Sequence, residues 1–307
     1  MLEYLSSLPG AVMLGFIWGL MALGIYITFK ILDVADLTVD GSFATGGIVA
    51  AVLITNGVSF PLALLAAFGA GLICGLVTGL IHTFFGVPPI LAGILTQMAL
   101  WSVNLKIAGR ANISIYSGTY QVIFAQNNVP DALWKMGIIL VVIIAIMYVF
   151  FGTELGASIR ATGNNPKMSK ALGINTKMNV VIGLAISNGI VALAGALLAQ
   201  YQGFADINMG RGAIVIGLCA VVIGTALFSK LAKNFAVRLL TVIVGGVLYY
   251  IVFQTVVFLG ADTDLLKMLA AIIVALFLGV PYFKRKYWNN FKRNIAIKKL
   301  LKSKEEE

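Results

Sequence analysis

The sequence predicts an all-α polytopic membrane protein with about nine or ten transmembrane helices, an inverted internal repeat and broken helices. The chain has a mean hydropathy of +0.98. Only 11% of its 307 residues are charged, whereas about 25% are charged in an ordinary soluble domain. Apolar runs of roughly 18 or more residues recur along it, and each can cross a hydrocarbon core about 30 Å thick. Two polar stretches that resemble each other precede two of these runs, which indicates that the chain repeats itself.

Nine hydrophobic segments define the elements in order. They are residues 9–29, 42–56, 60–84, 88–106, 134–151, 178–200, 212–229, 237–259 and 265–281. We predict one membrane domain, 1–307, with repeat halves 9–151 and 178–281, a polar connecting loop 152–177 and a basic tail 282–307. Segment 30–45 is semi-polar, so we expect a broken or re-entrant element there, and the placement of the N-terminus stays open.

Basic residues are distributed unequally between the two sides that these segments define. With loop 152–177 on the inner side, 17 of the 22 Lys and Arg residues lie inside and 5 lie outside. Because cytoplasmic loops carry an excess of Lys and Arg, we predict a multi-pass protein of the cell membrane with a cytoplasmic C-terminus. The net charge of +10 follows from this asymmetry and does not indicate a nucleic-acid partner.

The internal repeat relates Ala35–Ala51 to Ala205–Val221, and the second stretch begins 170 residues after the first (35 to 205). Both stretches are polar at first and then run into an apolar helix, and they lie toward opposite sides, as in an inverted-topology repeat. Non-helical backbone at membrane depth persists only inside protein or beside a wet cavity.

Polar residues in and near the repeat are therefore candidates for lining or gating a path across the membrane. We predict this role for Asp36, Thr38, Asp40, Ser42, Gln97, Asn104, Asn188, Asp206 and Asn208. The alternative is that they only cap helices or join them by hydrogen bonds, since polar side chains in a bundle interior do both.

Catalytic and metal-binding patterns are missing from the sequence. His82 is the only histidine, so the sequence does not supply the residues of a histidine metal site or of a Ser-His triad. The chain also lacks a GxxxxGK[ST] motif for binding ATP phosphates. We therefore predict no enzymatic activity, no metal and no cofactor.

Loop 152–177 is the most basic interruption between two apolar segments, with Arg160, Lys167, Lys170 and Lys177. We expect two short helices in it, Ala157–Thr162 and Lys167–Leu172, separated by residues 163–166. Gly173 follows the second helix, as a C′ glycine does.

This loop carries the pattern T-x-x-G-x-x-I-x-A-x-G-x-N-P…G. The matching residues are Thr153, Gly156, Ile159, Ala161, Gly163, Asn165, Pro166 and Gly173. With it the chain resembles the permease subunits of ATP-binding-cassette importers, in the family of the ribose and branched-chain amino-acid permeases. The resemblance extends over nearly the whole chain and is closest to the subgroup for amino acids of the tryptophan type. Asp40 departs from the family pattern, which more often has a small residue there.

The resemblance implies the function and the partners. The chain would provide the path for a small polar solute, an amino acid such as tryptophan or another aromatic one, delivered by an extracellular solute-binding protein. A second permease copy, forming a homodimer, and two cytoplasmic ATPase subunits would complete the transporter, with membrane lipid around the basic tail. In such importers this loop docks on the ATPase. The coupling residues would then be Glu154, Arg160, Gly163, Asn165, Pro166, Lys170 and Gly173.

Three alternatives stay open. A secondary transporter working without an ATPase would also show an inverted repeat. The same importer role for a sugar or nucleoside would leave the same sequence pattern. A membrane scaffold that transports nothing would not need polar residues at matched repeat positions.

Overall fold

A long helix opens the structure and places the first polar stretch inside the bundle. The computed structural model describes residues 2–115, 129–228 and 234–260, together with 268, 271–272, 274–276 and 279. Helix α1 spans Leu2–Tyr26 and passes into a π-helical turn, Ile27–Ile31. The chain is then non-helical until Thr38, and Asp33 has a left-handed φ of 56°. The broken element that we predicted within 30–45 is confirmed.

The other elements follow the apolar runs closely. They are α2 (Thr38–Thr55), α3 (Phe60–Phe84), α4 (Pro89–Ala108), β1 (Asn112–Ser114), α5 (Val129–Gly152), α6 (Glu154–Asn164), α7 (Pro166–Ala171), α8 (Thr176–Gln202), β2 (Phe204–Asp206), α9 (Ala213–Leu227) and α10 (Phe235–Phe258). Strands β1 and β2 pair antiparallel and join the chain after α4 to the chain after α8.

Seven of the described helices are long and apolar enough to cross a membrane, and this confirms a helical membrane protein. Helix α9 is apolar but has only 15 residues. At 1.5 Å per residue it is about 22 Å long, which is shorter than a hydrocarbon core of about 30 Å. Most of segment 265–281 and all of tail 282–307 lie outside the described residues.

The helices pack in two related sets. Helix α8 packs against α2 and α3, and α1 packs against α9 and α10. Moving 170 residues along the sequence takes α1, α2 and α3 to the positions of α8, α9 and α10. The packed pair α3–α8 therefore corresponds to the packed pair α10–α1. The repeat is therefore visible in the packing of the helices as well as in the sequence.

Small residues allow the closest of these contacts. A Cβ at Gly46 in α2 would overlap the backbone carbonyl of Ala192 in α8. Without a driving force from water, helices in lipid associate through such close packing. This contact fixes α2 against α8 just beyond the polar stretch.

The bounds of the two loop helices were wrong. Helix α6 runs from Glu154 through Asn164, and α7 begins at Pro166, so a single residue separates them. Asn165 ends α6, and its side chain accepts a hydrogen bond from Met168 N (3.1 Å) at the start of α7. One residue that caps both helices makes the longer break at 163–166 unnecessary.

Candidate functional site

A cavity of about 440 Å³ lies between α2, α4 and the segment that leads into α9. Asp40, Gln97 and Asn104 of the predicted path residues line it. Gln97 lies eight residues after Pro89 and eleven before Ala108, which is about 12 Å and 16 Å along the helix. The cavity therefore reaches the middle of α4, where polar side chains are expensive unless they face protein or water.

Asp40 joins the two repeat halves at this cavity. Its carboxylate accepts hydrogen bonds from the N–H groups of Gly212 and Ile214, each at 2.9 Å. The carboxylate thereby caps the N-terminus of α9, where helix N–H groups are otherwise unpaired and negative charge is favoured. Gly210 is the repeat counterpart of Asp40, and its Cα is so close to the Asp40 carbonyl that a Cβ would overlap it. Asp40, which stands where the family pattern more often has a small residue, therefore has a structural role in this chain.

Arg211 brings a positive charge to the same cavity. Its side chain is exposed, and it makes no ion pair within the part of the chain that the structure describes. We did not predict this residue for the site, because as one of the five outer cations it looked like a loop residue. Its position between Gly210 and Gly212, inside the second repeat stretch, was the available signal.

Aromatic and amide groups complete the wall. Trp101 lines the cavity and donates from Nε1 to Asn208 Oδ1 at 3.3 Å. Asn104 is 1% exposed, and neither its amide nitrogen nor its oxygen has a hydrogen-bond partner. A buried amide without partners is costly, so this side chain is the least satisfied group of the wall.

A buried polar cluster lies behind the cavity wall and contains four of the predicted path residues. Asn188 Nδ2 donates to Asp36 Oδ2 (2.7 Å), and Ser42 Oγ donates to Asn188 Oδ1 (2.7 Å). Thr38 N donates to Asp36 Oδ1 (2.9 Å). All four side chains are at most 3% exposed. The structure thus places them where they hold the first turn of α2 against α8, and not on the cavity surface.

Two threonines extend this cluster and were not predicted. The hydroxyl of Thr78 in α3 contacts those of Thr38 (2.7 Å) and Thr96 in α4 (2.9 Å). The hydroxyls of Thr78 and Thr96 also donate to the carbonyl four residues earlier in their own helix, as threonines in helices ordinarily do. A lone threonine inside an apolar helix gives no sequence signal of such a role, since self-bonding within its own helix would suffice.

The second repeat stretch reproduces the local turn of the first. Asp206 Oδ1 accepts a hydrogen bond from Asn208 N at 2.7 Å, as Asp36 does from Thr38 N. Asp206 and Asn208 lie at the cavity's edge, beside Ile207, which lines it. The residues that the repeat pairs in the sequence, Asp36 with Asp206 and Thr38 with Asn208, therefore form the same turn in the structure.

A second candidate site is the surface of α6 and α7. Thr153 caps α6 through Gly156 N (3.3 Å). Gly173, with φ +79°, ends α7 with paired bonds, Gly173 N to Lys170 O and Ile174 N to Ser169 O, both 3.0 Å. This is the helix end that a C′ glycine forms, as predicted.

The outer face of this surface is mixed in character. Glu154, Arg160 and Lys170 are exposed. Three large apolar side chains are exposed beside them: Leu155 (55%), Met168 (48%) and Leu172 (68%). Apolar side chains clustered among charges are typical of a surface that another protein covers.

The inner face of α6 is attached to the membrane helices. A Cβ at Gly163 would overlap the Ile31 carbonyl at the end of the π-helical turn. Thr162 Oγ1 accepts from Asn179 Nδ2 of α8 at 2.8 Å. A cavity of about 720 Å³ beside this contact is lined by Lys30, Arg160 and Arg238 among others, so residues predicted for the inner side lie together at one end of the bundle.

Comparisons with known proteins agree on one family. Residues 8–280 match the family described as branched-chain amino acid transport system / permease component. A tyrosine transport system permease protein of Clostridioides difficile is 38% identical over 86% of this chain and 87% of that protein. A galactofuranose transporter permease protein of Escherichia coli is 27% identical over 78% of this chain and 69% of that protein.

A solved structure shows a similar fold. The PsaBC structure from Streptococcus pneumoniae, determined in complex with a Fab, superposes with a TM-score of 0.54 at 15% identity. The match covers 94% of this chain and 99% of that one.

Proposed function

Since the chain belongs to the branched-chain amino acid transport permease family and is a permease subunit of an ATP-binding-cassette importer, we propose that it carries an aromatic amino acid. The observation behind this is the cavity at the junction of the repeat halves, whose wall holds an acid, a base and an indole. In inverted-repeat transporters the solute site lies at such a junction near the membrane midplane. The similarity to a tyrosine permease supports the aromatic class.

The driving energy comes from ATP hydrolysed on two partner subunits that dock on α6 and α7. Short capped helices transmit a rigid-body motion, which a floppy loop does not. From α6 the motion has a direct route to the cavity, because Gly163 contacts Ile31 and the chain after Ile31 leads into α2. Residues Glu154, Arg160, Lys170 and the three exposed apolar side chains form the docking surface.

A second copy of the chain closes the path. The face of α4 with Met98, Trp101 and Ser102 is exposed in the single chain, and half-buried Gln97 adjoins it. Together with Arg211 this face is too polar to lie against lipid tails. A homodimer placing these faces toward each other encloses the path, and an extracellular binding protein delivers the solute to it. For the basic tail 282–307, which lies outside the described residues, we expect contact with anionic lipid of the inner leaflet.

The test of this function is assembly with an ATPase. The chain is co-expressed with an ATPase subunit of an ATP-binding-cassette importer from the same genome, and the detergent-solubilised complex is purified through a tag on the chain. We expect the ATPase to co-purify with the wild type and to be lost with Leu172→Asp. The control is Leu259→Asp, because Leu259 is at least as exposed (79%, against 68% for Leu172) and follows α10 at the other end of the bundle.

Two results count against the proposed function. One is the absence of any ATPase from the purified wild-type chain. The other is equal recovery of the ATPase with Leu172→Asp and with Leu259→Asp, since the docking surface would then lie elsewhere.

A further inference from the structure

We propose that the 440 Å³ cavity is a transit site for a zwitterionic amino acid, in which Arg211 binds the solute carboxylate and Asp40 binds its ammonium group. This inference rests on the proposed function and adds to it a chemical basis for choosing an amino acid over a sugar. Trp101 would provide the contact for the aromatic ring, and Asn104 a hydrogen-bonding amide.

The two charges are the first argument. Arg211 has no acidic partner in the described part of the chain, although it lines a cavity that also holds Asp40. The Asp40 carboxylate receives two backbone N–H bonds, which leave about half of its roughly four acceptor positions free. A cavity with one unpaired cation and one partly free carboxylate complements a zwitterion, and a neutral sugar leaves both charges without a counter-charge.

Asn104 is the second and independent argument. A buried polar group in a native protein normally has a partner, yet both amide atoms of Asn104 have none. The side chain lines the cavity and is 1% exposed. An amide that can both donate and accept is suited to the carboxylate or the ammonium of an amino acid, and the bound solute would satisfy it.

The size and the aromatic wall fit the same ligand. Small-molecule sites usually enclose about 300–1,000 Å³, and this cavity lies in that range. Trp101 contributes an exposed indole face. Its Nε1 is already engaged with Asn208, so the ring is held in place for stacking, which favours an aromatic side chain.

The experiment measures binding to the full-length chain alone in lipid nanodiscs, without a binding protein that would select the solute first. Saturation-transfer NMR detects weak binding of tyrosine, of tyramine, which lacks the carboxylate, and of ribose as a neutral solute. We expect tyrosine to bind and the other two to bind at least about tenfold more weakly, because a charge-assisted contact is lost.

Variants then assign the binding to the cavity. Arg211→Gln should weaken tyrosine binding by about tenfold or more, while Arg211→Lys should restore part of it. Arg110→Gln is the matched control, because Arg110 is also exposed and lies outside the cavity. Equal tyrosine binding by Arg211→Gln and wild type would overturn the proposal, as would ribose binding as tightly as tyrosine, or no binding of any probe.

Asn104→Leu separates a ligand role from a structural one. If the amide of Asn104 is satisfied only by bound solute, the substitution removes a buried amide that has no partner in the free protein. The thermal midpoint of the free protein then rises, while tyrosine binding weakens. A lower midpoint together with unchanged binding contradicts the proposal. None of these results touches ATPase co-purification, so the transit site can fail while the ATP-driven importer role stands.

Discussion

Asn188 is the side chain on which the cluster behind the cavity depends. It lies 12 residues from Thr176 and 14 from Gln202, which is about 18 Å and 21 Å from the two ends of α8. At that depth water cannot replace a lost partner. Its amide bonds both Asp36 and Ser42, so its removal leaves two buried groups with fewer partners.

We expect Asn188→Ala to lower the free energy of unfolding by about 1–3 kcal/mol, since buried polar groups lose their partners. The measurement is the thermal midpoint of the purified chain in detergent. Asn164→Ala serves as the control, because Asn164 is exposed. An unchanged midpoint for Asn188→Ala would show that the cluster contributes no stability.

The sequence predicted the polar residues better than their positions. Asp36 and Asp206 were recognised because the repeat pairs them, and their turns do match. The sequence could not show that Asp36 faces a buried asparagine 152 residues away while Asp40 faces the cavity, since both precede or begin the same helix. Arg211 was missed for the same reason: the sequence does not show that its loop folds back against α2 and α4.

The contact between α2 and α8 sets the position of the first polar stretch. Gly46 approaches Ala192 so closely that any side chain would have to displace backbone. We expect Gly46→Ala to cost about 1–3 kcal/mol by overpacking. Gly69→Ala in α3, where no atom lies within 4 Å of an added Cβ, should be neutral or stabilising by up to about 1 kcal/mol. Thermal midpoints that fall equally in both variants would rule out a specific role of this contact.

Helix α6 connects the docking surface to the membrane helices. We expect Gly163→Ala to push α6 away from Ile31, so that the complex still assembles but ATP-driven uptake falls on the order of tenfold. The control is Gly152→Ala, because an added Cβ there meets no atom within 4 Å.

The two rates are measured in proteoliposomes with matched amounts of complex. Equal uptake by Gly163→Ala and Gly152→Ala would show that the contact between α6 and Ile31 transmits nothing.

Elements were predictable where hydrophobicity alone decides them. The predicted segment 60–84 coincides with α3, because an apolar run between turns has one way to cross a membrane. The predicted segment 212–229 begins one residue before α9, which follows Gly212 and is capped by Asp40 from the other half. The cap is a tertiary contact, so no local pattern reveals it.

The whole molecule is proposed to work as a pair of copies. We expect Met98→Cys, on the exposed face of α4 (67%), to form a disulfide between copies under mild oxidation. Disulfides need Cα atoms within about 7 Å, and the native Cys74 and Cys219 are buried. Ile138→Cys on α5, also exposed (50%), should not cross-link. Electrophoresis without reductant shows the dimer band, and equal cross-linking at both positions would place α4 outside the interface.

The central claim is that this chain moves its solute only when a partner hydrolyses ATP. The most direct measurement is uptake of radiolabelled tyrosine into proteoliposomes that contain the chain with its ATPase, with the binding protein and ATP supplied on opposite sides. We predict uptake that requires ATP, stops with vanadate and is absent from liposomes holding the chain alone. Uptake by the chain alone, driven by an ion gradient, would contradict the claim and identify a secondary transporter.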